Sequence, residues 1–262
     1  MSNNHLTFLS NDKPLQEKCG IVAFFSPKYS SQLSLALKAA GGVQHRGQQG
    51  AGVVLQTKEG FVKHTGNGLL REVFLPEVVN RLNAPSIWTV VHCRYGTNGG
   101  YDKDNLQPCV ATDSSGSQIA VAHNGEFVAT EKMRKLVANN LPKDISDTNL
   151  FTQILSRTKG ISWEEKILKT LSKVEGAYSL VVGTNDSLFL ARDRYGIRPL
   201  ILGQIRGMWI VVSETQALNR IGAKVIREVQ AGEIIKINKK GLKTIQSGKS
   251  QYHFCDFEWD YF

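Results

Sequence analysis

Apolar residues in this chain gather in short runs set off by glycines and polar clusters, and helical spacing appears at only a few places. The run Gly20-Ile21-Val22-Ala23-Phe24-Phe25 shows no polar alternation, which predicts a strand buried on both faces. Val53-Val54-Leu55 followed by Gly60-Phe61-Val62 predicts a hairpin. Further strands are predicted over Ile87 to Val91, Ile119 to Ala122, Tyr178 to Val182, Leu188 to Arg192, Leu200 to Leu202, Trp209 to Val212 and Glu233 to Ile237. Helices are predicted over Leu33 to Ala40, where Gly41-Gly42 ends the pattern, over Glu131 to Asn140, and over Thr148 to Arg157 with Asp147 at the N-cap. Many strands with a few helices inserted among them predict an α+β domain of packed sheets. No internal repeat and no low-complexity linker interrupts it, so a single domain is expected.

Composition narrows the setting. The chain has 262 residues, 41% of them hydrophobic, enough for an ordinary core. Residues 1 to 18 are polar, carry Asp12, Lys13, Glu17 and Lys18, and hold no apolar stretch long enough for a signal peptide or a membrane span, so they read as a leader or propeptide. The cysteines at 19, 93, 109 and 255 form no CxxC pair and no regular spacing, which argues against a zinc site or a disulfide framework and fits a reducing cytoplasm. The net charge of +9 is scattered, with Lys239-Lys240 the only noticeable pair in the C-terminal third, so neither nucleic acid nor membrane is expected as a partner.

Candidate chemistry sits at the strand ends. Cys19 heads the first strand, with Gly20 leaving room for a substrate carbonyl beside the sulfur. Cutting the Lys18–Cys19 bond would give the thiol an adjacent α-amine as base. His45-Arg46-Gly47-Gln48-Gln49-Gly50-Ala51-Gly52 is a glycine-rich loop whose backbone can approach something closely, and Arg46 suits an ordered site wall. His92-Cys93-Arg94-Tyr95-Gly96 ends another strand. There Arg94 offers a planar fork for a carboxylate, Tyr95 a cover for a pocket, and Cys93 and His92 read as core residues. At His123-Asn124-Gly125, an amide side chain and a glycine N–H are two neutral donors for an oxyanion. Asp147 could cap its helix and also hold an ammonium. With Arg94, that gives the polarity of a site for an α-amino acid.

The order Cys-Gly-Ile-Val, His-Arg-Gly, His-x-Arg-Tyr, His-Asn-Gly and Ser-Asp-Thr resembles the class II glutamine amidotransferases, which belong to the N-terminal nucleophile hydrolases. Gln48-Gln49-Gly50-Ala51-Gly52, Asn105-x-Gln107-Pro108, Asp193-x-x-Gly196-x-Arg198-Pro199-Leu200, Ser213-Glu214-Thr215 and Val229-x-x-Gly232-Glu233 are similar to the amidophosphoribosyltransferase branch, which acts in purine synthesis. The resemblance implies a four-layer αββα sandwich, glutamine hydrolysed to glutamate and ammonia, Cys19 as nucleophile with its own amine as base, and Asn124 and Gly125 as oxyanion hole. It also implies Arg94 and Asp147 on the glutamine carboxylate and amine, with Arg46 and Tyr95 shaping the pocket and its closing loop. Gly96 stands where the family has Ser or Ala, and Glu126 where it has Asn.

The expected division is a leader over 1–18, the amidotransferase domain over 19–250, and over 251–262 the start of a linker to a phosphoribosyltransferase domain that nothing here resembles. The expected partners are therefore L-glutamine and a phosphoribosyltransferase domain or subunit on another chain, with oligomerisation left open. No cofactor is expected, since Cys255 alone cannot hold an iron–sulfur cluster. The alternative is an unprocessed, inactive domain that still binds glutamine as a regulatory subunit. A Cys/His hydrolase using His92 or His123 fits less well, because Cys19 lacks the elbow-type glycine pattern.

Overall fold

A computed structural model of the protein describes residues 19–95, 105–128, 130–137, 141–142 and 144–248. Two antiparallel sheets pack face to face. The first orders its strands β11 (Lys224–Glu228), β9 (Ile201–Ile205), β10 (Met208–Val212), β1 (Gly20–Ser30), β4 (Ser86–Arg94), β2 (Gly50–Thr57) and β3 (Gly60–Asn67). The second runs β13 (Gly241–Gln246), β12 (Ile234–Asn238), β8 (Ser187–Arg192), β7 (Glu175–Gly183), β6 (Gln118–Val128) and β5 (Cys109–Thr112).

The period-two alternation of side chains separates three apolar layers. Ile21, Ala23 and Phe25 of β1 meet Trp88, Val90, Ala120, Ala122, Leu188 and Leu190 between the sheets. Val22 and Phe24 face the opposite way, into a layer with α1 (Leu33–Ala40), α2 (Leu70–Val73), α3 (Pro76–Leu82) and α7 (Thr215–Asn219). On the far side, Ile119 and Val121 of β6 pack against Phe151 and Leu155 of α5 (Asp147–Arg157). The result is the αββα sandwich that the resemblance implies. Among the described residues no helix is long and apolar enough to cross a membrane.

Two helix boundaries differ from expectation. The N-cap of α5 is Ser146, whose Oγ accepts the Asn149 N–H at 3.2 Å, and Asp147 is the first residue inside the helix. The carboxylate of Asp147 is drawn instead to the Phe127 N–H of β6, at 3.0 Å. The helix α4 (Thr130–Arg134) is shorter than the predicted Glu131–Asn140 span, whose last three residues lie outside the described ones. The helix α6 (Trp163–Leu171) was not predicted, because it buries only Ile167 and Thr170 and so shows little apolar periodicity.

The pairings Gly20 with Cys93 and Gly50 with Arg94 bring the start of β1, the end of β4 and the start of β2 to one edge of the sandwich. Cys19 therefore stands beside Arg94 and Tyr95.

Candidate active site

Cys19 is partly buried, and its thiol donates to the Tyr95 carbonyl at 3.7 Å. Burial raises the thiol above its ordinary range, the Tyr95 contact and the Arg94 and Arg46 guanidinium charges pull it back down, and the Asp147 carboxylate adds to the rise. Three charged residues singled out from the sequence thus act on one sulfur. Cys93 and Cys109, both buried, are pushed up to about 12 by burial and remain packing residues.

The two sheets are tied together at this edge. His92 Nε2 donates to the His123 carbonyl at 3.1 Å, immediately before Asn124. Burial lowers the imidazole of His92 to about 3, so it stays neutral with its proton on Nε2. Asn124 is fully buried, and among the described residues neither its Nδ2 nor its Oδ1 has a hydrogen-bond partner. Gly125 adopts φ +139°, and a Cβ there would collide with the Ala177 carbonyl oxygen, so the strand admits only glycine. Glu126, at the position where the family pattern has Asn, is exposed on the same strand, opposite Ala177.

Asp147 presents its carboxylate at the start of α5. Oδ2 accepts from Phe127 N–H, and Oδ1 accepts from Thr148 N–H at 2.7 Å. Oδ1 also accepts from the Thr148 hydroxyl at 3.3 Å, so Oδ2, with the Phe127 N–H alone among the described residues, keeps the greater acceptor capacity. His123 Nδ1 lies 3.0 Å from Thr148 Oγ1 and 3.8 Å from Asp147 Oδ2, with its ring stacked on Phe127. Arg94 is buried at the end of β4, where one Nη donates to the Asn105 carbonyl. Asn105 in turn accepts the Ser146 N–H at 2.7 Å, linking the Arg94 strand to the cap of α5.

Arg46, expected in an ordered site wall, reaches both Glu214 and the main chain of Cys19. It is fully buried, with Nη1 on Glu214 Oε1 at 2.6 Å and Nε on the Cys19 carbonyl at 3.3 Å. The glycines of its loop admit the chain's own backbone: a Cβ on Gly47 would strike the Cys93 carbonyl, and one on Gly52 the Gln107 carbonyl. Glu214, Asn105 and Thr148 were missed as contributors. Glu214 had a signal, a carboxylate two residues after the apolar strand Trp209 to Val212. The expected closing loop after Tyr95, including Gly96, lies outside the described residues, as do residues 1–18 and Cys255. Among the described residues no group of three or more His, Cys, Asp or Glu could hold a metal.

Comparison with known proteins bears on the family and the fold. A model of the glutamine amidotransferase domain matches residues 100–220. Amidophosphoribosyltransferase of Bacillus subtilis is 31% identical over 97% of this chain and 53% of its own length. Amidophosphoribosyltransferase 1, chloroplastic, of Arabidopsis thaliana is 37% identical over 96% of this chain and 44% of its own length. The solved structure of the B. subtilis glutamine phosphoribosylpyrophosphate amidotransferase, complexed with ADP and GMP, superposes with a TM-score of 0.82 at 31% identity, covering 93% of this chain and 52% of that one. The chain is a class II glutamine amidotransferase domain. It is homologous to the N-terminal part of the amidophosphoribosyltransferases, and it spans about half the length of the curated relatives it matches.

Proposed function

We propose that this domain hydrolyses L-glutamine to glutamate and ammonia through a thioester on Cys19. Removal of residues 1–18 frees the Cys19 α-amine, whose ordinary pKa of about 7.7–8.0 suits a base working near neutrality. The amine takes the thiol proton as sulfur attacks the side-chain carboxamide carbon, and the carbonyl oxygen becomes an oxyanion held by the Asn124 amide and the Gly125 N–H. The proton then passes to the leaving nitrogen, the carbon–nitrogen bond breaks, and ammonia departs. Water, deprotonated by the same amine, attacks the thioester, and glutamate leaves with sulfur restored. Arg94 holds the substrate carboxylate and Asp147 its ammonium group. Tyr95 orients the thiol through its carbonyl.

The observation that carries this reading is the Asn124 amide, buried with both polar atoms unpartnered among the described residues. Such groups in a folded protein are few and call for a reason, and a bound oxyanion supplies one for the Nδ2 donor. In this scheme no metal or cofactor takes part, the cytoplasm keeps the thiol reduced, and the ammonia passes to a phosphoribosyl acceptor on another domain or chain. One observation favours a second reading for the uncleaved chain. Burial raises the Cys19 thiol, and without the free amine no base is assigned to it, so the uncleaved domain would bind glutamine without turning it over. Glutamate release by the purified protein tests the proposal: the parent should be active and Cys19→Ala inactive with an unchanged near-UV spectrum. Activity retained in Cys19→Ala would refute it.

A further inference from the structure

The Ser213-Glu214-Thr215 stretch has no part in the reaction above, yet it anchors the strand that carries the nucleophile. The Ile21 N–H donates to Ser213 Oγ at 2.9 Å, and the Ser213 N–H donates to the Ile21 carbonyl at 3.0 Å. Glu214, the next residue, receives Arg46 Nη1 at 2.6 Å and lies 3.1 Å from His45 Nε2. Arg46 reaches on to the Cys19 carbonyl at 3.3 Å. A chain of two contacts therefore runs from the Glu214 carboxylate to the main chain of Cys19.

We propose that Glu214 is a positioning residue for the nucleophile: it fixes Arg46 against the Cys19 carbonyl and moderates the positive charge that Arg46 places beside the sulfur. This rests on the reading of Cys19 as nucleophile. Two apolar side chains could join the same segments, and burying an ion pair is a poor way to gain stability. What a charged pair adds is control of the field at Cys19. The groups facing that sulfur are Arg46 from the turn after α1, Arg94 and the Tyr95 carbonyl from the end of β4, and Asp147 from the start of α5, together with the α-amine of Cys19 once residues 1–18 are removed. The two arginines favour the thiolate and Asp147 opposes it. Neutralising Glu214 removes one negative charge from beside the Arg46 cation, so the thiolate should form at lower pH. Loss of packing alone has no reason to move the thiol in that direction.

The test is the pH dependence of Cys19 alkylation by iodoacetamide, read from the mass of the Cys19 peptide, in the parent, Glu214→Gln and Glu214→Asp. Glu214→Gln keeps an acceptor for Arg46 and should shift the alkylation midpoint down by roughly half a pH unit. Its glutamine turnover should fall roughly tenfold, since a loosened anchor misplaces the attacking atom. Glu214→Asp keeps the charge and should alkylate with the parent's midpoint. A midpoint in Glu214→Gln at or above the parent's, or the same downward shift in Glu214→Asp, overturns the proposal. Full glutaminase activity in Cys19→Ala would instead sink the underlying reading, so the two failures are distinguishable.

Discussion

The segment around Asp193 and the strand around Asn124 both bury polar side chains, at the same level and one strand apart, since Ser179 of β7 pairs with Asn124 on one side and Arg192 on the other. They treat those side chains in opposite ways. Asp193 accepts from the N–H groups of Tyr195, Ile197 and Tyr178 at 2.9, 3.1 and 3.2 Å. Arg192 donates to the carbonyls of Arg198, Gly196 and Val229 at 2.6 to 2.7 Å. Around Asn124, both amide atoms, His92 Nδ1 and His123 Nε2 have no partner among the described residues. A satisfied buried network specifies backbone geometry, whereas unsatisfied donors and acceptors are held ready for something that arrives later. Under the proposed function, the Asp193 and Arg192 side chains serve the architecture and the Asn124 amide serves the chemistry.

The sharpest way to test that contrast is to remove one side chain from each region. Asn124→Ala deletes an oxyanion donor and should lower turnover roughly 100- to 1000-fold, about 3–4 kcal/mol of transition-state stabilisation, with little change in KM for glutamine. Its unfolding free energy should stay within about 0.5 kcal/mol of the parent's or rise, because no folded-state hydrogen bond is lost. Steady-state kinetics and urea unfolding on the same preparation decide this. A marked loss of stability would move Asn124 into the architectural group.

Asp193→Ala should do the reverse. It strands three part-buried N–H groups, so unfolding should become easier by about 2 kcal/mol, while turnover per folded molecule changes less than about twofold. Equal losses in stability and in turnover per folded molecule would erase the distinction.

A comparable effect concerns His92, which joins the two sheets beside Asn124. Its imidazole is depressed to about 3 in the folded state, so folding holds it neutral. A depressed pKa contributes stability above the unfolded value near 6.5 that is lost as pH falls toward 3. Between pH 7.5 and 5 the parent should therefore lose about 2 kcal/mol more unfolding free energy than His92→Gln, which retains a donor for the His123 carbonyl but does not titrate. Parallel pH curves for the two proteins would remove His92 from this role.

Much of this arrangement was legible in the sequence because a buried strand ending in polar residues and glycine is a local pattern. Arg94, Asn124 and Gly125 announce themselves that way, Cys19 by heading a buried strand and Asp147 by its helix start, and folding places Cys19 beside Arg94 and Tyr95. Arg46 shows the limit. Its residue type and loop were visible, but its partner Glu214 lies 168 residues along the chain, and only the pairing of β1 with β10 brings them together. The cap of α5 fails for a different reason. Ser146 and Asp147 are adjacent and both suited to capping, and the choice between them is made by the Phe127 N–H of a distant strand. The edge strand β11 was missed because its side chains are largely exposed, so no alternation marks it.

The most direct test of the central claim is the N-terminal mass of the protein in a preparation with full glutaminase activity. If the Cys19 amine is the base, the active species begins at Cys19, and activity rises in proportion to the fraction cleaved after Lys18. Full activity in a chain that still carries residues 1–18 would contradict the mechanism.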